Sequence, residues 1–219
     1  MKQVCLVVLF LGATINIFGQ AKMITKEQYD AAEKNARRKV DAFLRRTITE
    51  TTKYKANKID TIEILTQETF PNGDNRWNLV RKRDGKIFDK LQLIYLGKYE
   101  YRKEGETDWK KRCIKDCSES EMAGAMVLNG TELPKVEEYL LSDTTILGQE
   151  ATVYVFYRVY QLSATLNFYE RKIWVGSNGL IVREESMNSD IFPSNKTSVE
   201  TTSYEYNPKD VESLEAPIK

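Results

Sequence analysis

Lys172-Ile173-Trp174-Val175-Gly176-Ser177-Asn178-Gly179-Leu180-Ile181-Val182-Arg183-Glu184 reads as two strands around a tight turn. An Asn-Gly pair between runs of β-branched and aromatic residues is the strongest short-range hairpin signal, and it predicts positive φ at both Asn178 and Gly179. Outward from it, Thr197-Ser198-Val199-Glu200-Thr201-Thr202-Ser203-Tyr204-Glu205-Tyr206 continues in the same style. The C-terminal half is therefore a sheet rather than a helical bundle.

The period-two pattern runs back to Thr47. Ile62, Ile64 and Thr66 alternate with Glu63 and Gln67, Trp77 and Leu79 flank Asn78, Leu91, Leu93 and Tyr95 flank Gln92, and Tyr99 and Tyr101 flank Glu100. Each such run is a strand with one wet face. Breaks fall at Pro71-Asn72-Gly73-Asp74, Asp84-Gly85, Gly97, Gly105, Asn129-Gly130, Gly148 and Asn178-Gly179, where turn chemistry places them. That spacing predicts a meandering antiparallel sheet of roughly eight to eleven strands. Thr152 to Tyr160 is apolar in both parities, so this strand is expected to leave water on both faces.

Thr25-Lys26-Glu27-Gln28 matches a capping box and predicts a helix start. Behind it Tyr29, Ala32, Ala36, Val40 and Phe43 form one apolar stripe, with Glu33, Lys34, Arg37, Arg38 and Asp41 assigned to the wet side. Such a helix lies on a sheet face or, in the minority reading, on a membrane surface. From Ser118 to Leu133 alternation is lost, and Met122, Ala123, Ala125 and Met126 crowd together. This segment reads as a short helix or a mobile cover, its methionines filling core gaps or adapting to a lipid chain.

At the N-terminus, Lys2 precedes an apolar run from Val4 to Phe18 and the small residues Gly19 and Ala21. That order is expected of a signal peptide over residues 1–21, and the run is shorter than the roughly 20 residues a spanning helix needs. One domain over residues 22–219 is then expected, in the periplasm or secreted. The whole chain carries 33 basic and 32 acidic residues. Without Lys2 the two counts are equal, so charge gives no support for a nucleic-acid partner. Cys5 leaves with the leader; Cys113 and Cys117 remain, and in an oxidising compartment their expected fate is a disulfide, ahead of a metal site or a redox dithiol.

The chain contains no histidine. Ser-His-Asp and Cys-His arrangements are thus excluded, and the commonest metal ligand is missing. Glu137-Glu138 and Glu184-Glu185 are adjacent strand residues facing opposite ways, so neither pair acts jointly on one substrate, and both are read as solvated edges. No phosphate-cradling glycine loop is present. An enzyme is not expected, nor a cofactor or metal. Arg81-Lys82-Arg83 with Lys86, and Lys110-Lys111-Arg112, are basic clusters that fit anionic headgroups or an acidic partner, or that guard strand edges from aggregation.

Gly97-Lys98-Tyr99-Glu100-Tyr101 followed by Trp109-Lys110 resembles the glycine, tyrosine and tryptophan hairpin of the bacterial periplasmic lipoprotein carrier family, the LolA-like and LppX-like proteins. Trp174-Val175 with Gly179-Leu180 and Glu184 is similar to that family's next hairpin, and Thr202-Ser203-Tyr204-Glu205-Tyr206 with Ala216-Pro217 to its closing strand and tail. The resemblance covers residue 26 to the end. It implies a half-open, strongly curved antiparallel β-barrel whose mouth is covered by the N-terminal helix and a short middle helix, with a cavity for acyl chains. Leu93, Tyr95, Tyr99, Tyr154, Phe156, Tyr160 and Trp174 are the residues expected to line it, and each also fits an ordinary core position. For the family's cavity arginine, Arg76 and Arg81 are candidates. The chain departs from the family in its cysteine pair. The implied function is a monomeric exported carrier or chaperone for lipid or lipidated protein. The rival is an envelope sensing or structural protein that uses the same barrel to bind a protein.

Overall fold

The computed structural model describes residues 21–115, 133–146, 148–162, 165–190 and 195–218. Twelve strands make one antiparallel sheet. In chain order they are β1 (Lys22–Met23), β2 (Arg45–Lys55), β3 (Lys58–Thr69), β4 (Asn75–Arg83), β5 (Lys86–Leu96), β6 (Tyr99–Glu104), β7 (Lys110–Cys113), β8 (Leu133–Ile146), β9 (Gln149–Leu162), β10 (Thr165–Gly176), β11 (Ile181–Asp190) and β12 (Asn195–Tyr206), with one helix, α1 (Lys26–Val40), after β1.

Spatially, β2 to β7 form one meander and β8 to β12 another. They join where β12 pairs with β2, and β1 closes onto β8, giving the order β1-β8-β9-β10-β11-β12-β2-β3-β4-β5-β6-β7. The two end strands do not pair, so the sheet is open. Register shifts at Trp174/Val175, Asn188/Ser189, Lys53/Tyr54, Arg81/Lys82 and Pro134/Val136 are sites where an extra residue bends and twists its strand. An open sheet this wide curls rather than staying flat, and the architecture fits a half-barrel.

The strand count exceeds the eight to eleven expected. β1 has two residues and β7 four, too few for alternation to register in a sequence, and tertiary pairing alone makes them strands. The middle helix expected from Ser118 lies outside the described residues, except that Leu133 opens β8. The leader at 1–21 lies outside them too, apart from Ala21. So does Cys117, while Cys113 is buried at the end of β7.

The hairpin at Asn178-Gly179 forms, but by a different turn. Only Gly179 has positive φ, at 77°. The Gly179 N–H donates to Gly176 O at 2.8 Å, the Gly176 N–H to Leu180 O, and Asn178 Oδ1 accepts from the Leu180 N–H. This is the longer loop, in which a left-handed glycine follows an ordinary turn. A side chain at Gly179 would also run into Lys39 Nζ at the end of α1. Two-residue turns with both φ values positive occur at Ala56-Asn57 and Asp84-Gly85. The first carries only an asparagine as its signal and was not among the expected breaks.

The capping box is formed: Thr25 Oγ1 accepts from the Gln28 N–H at 3.3 Å, and Gln28 Oε1 from the Thr25 N–H at 3.0 Å. Thr25→Ala is expected to cost about 1 kcal/mol, read as a lower thermal midpoint with the strand signal unchanged. Among the described residues no helix is long and apolar enough to cross a membrane.

Candidate functional site

β8 to β11 carry apolar side chains on both faces, as the composition of Thr152 to Tyr160 predicts. On one face Tyr29, Ala36 and Val40 of α1 are buried against Ile173, Leu180 and Ile181, ringed by Ile24, Phe43, Tyr139, Tyr154, Phe156, Val175, Tyr204 and Tyr206. The opposite face holds Leu140, Ala151, Val153, Val155, Tyr157 and Trp174, with Ile146, Phe168 and Val182. Under α1 the aromatics interlock. Tyr139 and Phe156 stack at 5.0 Å, and Tyr29 lies tilted against both at 5.3 and 6.1 Å. Each such pair contributes about 0.5–1.5 kcal/mol beyond its buried area.

A charge network ties α1 to this face. Arg171 Nη2 donates to Glu33 Oε1 at 2.8 Å and to Glu184 Oε2 at 3.0 Å, and Arg171 Nη1 reaches Glu33 Oε2. Arg37 Nε donates to Glu33 Oε1 at 2.9 Å, while Arg37 Nη2 forks onto both Glu184 oxygens at 3.0 and 3.1 Å. The Tyr204 hydroxyl donates to Glu184 Oε1. Two corrections follow. Glu184 is not a solvated edge, its side chain being 15% exposed, and Glu33, 21% exposed, does not belong to the wet side of α1. A single amphipathic stripe assigns polarity by angle, but the sheet curls past the stripe and meets its flank.

Burial would raise the Glu33 carboxyl, yet hydrogen bonds from Arg171 and Arg37 outweigh it and hold the group below its ordinary value. Burial drives the Tyr29, Tyr204 and Tyr206 phenols upward, and for Tyr204 the Glu184 carboxylate adds to it. The Tyr29 hydroxyl and Trp77 Nε1 are enclosed without a hydrogen bond, a cost of about 1–3 kcal/mol for a buried polar group.

The same face extends beyond α1. Register defines one row across six strands: Tyr204, Thr47, Gln67, Trp77, Leu93 and Arg102. The next rows bring together Leu65, Leu79 and Leu91, and Asn75 with Tyr95. Leu65, Trp77, Leu79, Leu91, Leu93 and Tyr95 thus form a continuous apolar strip over β3 to β5. The rings of Trp77 and Tyr95 are 5.6 Å apart. Leu93 is buried and the other five are half-buried. Among the described residues no helix lies across the strip.

The seven residues expected to share one lining divide between the faces. Leu93 and Tyr95 sit in the strip. Tyr154 and Phe156 pack under α1, and Tyr160 shares their parity on β9 with Arg158 over its ring at 5.3 Å. Trp174 belongs to the opposite cluster, with Arg183 5.7 Å from its ring. Tyr99 also lies opposite, in register with Cys113 and Leu96, below Lys111 at 4.4 Å. Trp174 and Tyr99 therefore cannot join the other five, because one strand position of offset reverses the face. Of the two arginine candidates, Arg81 is on the strip's face, paired with Asp89 and Glu63, while Arg76 is opposite and pairs with Glu68.

Two hollows stand out among the described residues, and residues of charged or polar type line most of both. One, about 370 Å³, runs along α1 between Asp30, Glu33, Lys34, Arg37, Arg38 and Asp41. The other lies at the β8–β9 hairpin, between Asp143, Thr145, Glu150 and Ser177. Neither is the apolar cavity the resemblance implies. Among the described residues no group of three Cys, Asp or Glu is placed to hold a metal ion.

No protein-family model matches the chain, and no curated protein does. Among solved structures, LprF from Mycobacterium bovis is similar over 90% of this chain and 100% of that chain, with 10% sequence identity and a TM-score of 0.45.

Proposed function

We propose that this protein is an exported, monomeric carrier that holds lipid, or the acyl chains of a lipidated protein, against the strip of Leu65, Trp77, Leu79, Leu91, Leu93 and Tyr95. The observation that carries the reading is the continuity of that strip over three strands on the helix-bearing face, with no described helix over it. Burying an acyl chain is favourable by about 0.8 kcal/mol per methylene, so no covalent chemistry is needed. The network of Arg171, Arg37, Glu33 and Glu184 fixes α1 as one wall and leaves the strip with no helix over it among the described residues.

Mass spectrometry of the gently purified protein tests this. Co-purifying lipid is expected, lost in Leu79→Gln and Leu91→Gln with the β-sheet spectrum intact, and its removal is expected to lower the thermal midpoint. Recovery of no lipid, with a midpoint indifferent to delipidation, would overturn the proposal. The rival reading, an envelope protein that docks a protein partner, draws on the two sheet edges at β1 and β7, which pair with no further strand among the described residues. It is distinguished by pulldown of a protein that persists in the two glutamine variants.

A further inference from the structure

Two neighbouring hairpin tips form a second surface, far from α1 in function and independent of the carrier reading. The β2–β3 turn at Ala56-Asn57 and the β4–β5 turn at Asp84-Gly85 project from the same end of the sheet, because β2 and β4 run in the same direction. These tips bear three large apolar side chains in water: Ile59, 59% exposed, Ile87, 51%, and Phe88, 54%. Register sets Ile62, Lys82 and Ile87 in one row, and the bulge at Lys53/Tyr54 places Ile59 two pairs nearer the turn than Ile62.

Charge accumulates at the same place. Residues 53–63 and 81–90 together hold eight basic and four acidic side chains, a net of +4, in a chain whose total is +1. The acids are largely consumed: Glu63 by Lys53 and Arg81, Asp89 by Arg81, and Asp60 by Arg83, which also lies 5.3 Å from the Phe88 ring. Lys55, Lys58, Lys82 and Lys86 make no ion pair among the described residues. Edge protection does not account for them. β2 to β5 are inner strands, and the open edges are β1 and β7.

We infer that this double tip docks onto an anionic lipid bilayer, the four lysines meeting headgroup phosphates while Ile59, Ile87 and Phe88 enter the interface. Unpaired lysines and exposed aliphatic and aromatic side chains on the same rigid turns suit a surface that is negative outside and apolar beneath. A nucleic acid would match the charge without requiring three apolar groups at the tip.

The test uses the full chain with Phe88→Trp, read as the difference from the unsubstituted chain, so that the signals of Trp77, Trp109 and Trp174 and any vesicle binding through the apolar run at residues 4–18 cancel. Vesicles of phosphatidylcholine alone are compared with vesicles that also contain phosphatidylglycerol. The expected result is a blue-shifted emission, quenched by brominated lipid, on the anionic vesicles only. Adding Lys58→Glu, Lys82→Glu and Lys86→Glu should weaken that response on the order of 100-fold. Adding Ile59→Ser and Ile87→Ser should remove the blue shift while salt-sensitive binding survives. An equal response on both vesicles, no response on either, or its abolition by millimolar glycerol phosphate, which would reveal a small-anion site, would each overturn the inference. Unchanged circular dichroism certifies the variants, whose positions are solvent-exposed or half-exposed.

Discussion

Arg171→Ala is expected to lower stability by about 2–4 kcal/mol, less than the 3–5 typical of breaking a fully buried pair because its partners keep some solvent. For a chain of this size that corresponds to about 4–16 °C in the thermal midpoint. The loss arises from weakening the counter-charge of Glu33 on α1 and of Glu184 beneath it, which among the described residues pair with Arg171 and Arg37. A double-mutant cycle with Glu184→Gln isolates the coupling. Additive single effects would show that Arg171 is not joined to Glu184 in the folded state. Acid should imitate part of the effect. Glu33 is held below its ordinary value of 4.5 by its two arginines, against a burial effect of opposite sign. Its contribution is therefore complete above 4.5 and disappears as pH falls through the lower folded value. Unfolding followed down the acid limb should steepen there in the wild type and flatten in Glu33→Gln.

Ile181→Ala is the second large effect, about 2–5 kcal/mol. Ile181 has no exposed surface and sits with Ile173 directly beneath Val40 and Ala36. Its carbonyl also accepts from the Tyr206 hydroxyl, which fixes the strand and limits collapse into the cavity. Ile181→Val should cost only about 0.5–1.5 kcal/mol. Denaturant titration of the pair checks the difference, and near-equal midpoints would mean that α1 does not seal this core.

Much of the fold was legible because alternation and turn chemistry are local. Leu91-Gln92-Leu93 and Trp77-Asn78-Leu79 declared their faces, Asp84-Gly85 and Gly97 their turns, and Thr25 with Gln28 the helix start. The expected lining was less legible. Parity relates residues within one strand, whereas only pairing between strands shows that Leu93 and Trp174 occupy opposite faces. For the same reason Arg171 drew no expectation, Glu184 was read as a solvated edge, and Tyr204 as part of a closing strand. Their partners lie 138 residues away for Arg171–Glu33 and 147 for Arg37–Glu184, and nothing in a single strand distinguishes an ion that meets a helix from one that meets water. The one local hint was Glu33 four residues before Arg37.

The amino-acid sequence by itself determined that this protein is a β-sheet carrying one capped amphipathic helix, since backbone preferences, side-chain alternation and glycine-bearing turns act over a few residues. The tertiary structure alone decided that β12 closes onto β2, that two minimal strands finish the edges, and that the flank of α1 is charged toward the sheet. Those outcomes depend on which distant surfaces exclude water together and on the bends that bulges introduce, quantities that no short stretch of residues contains.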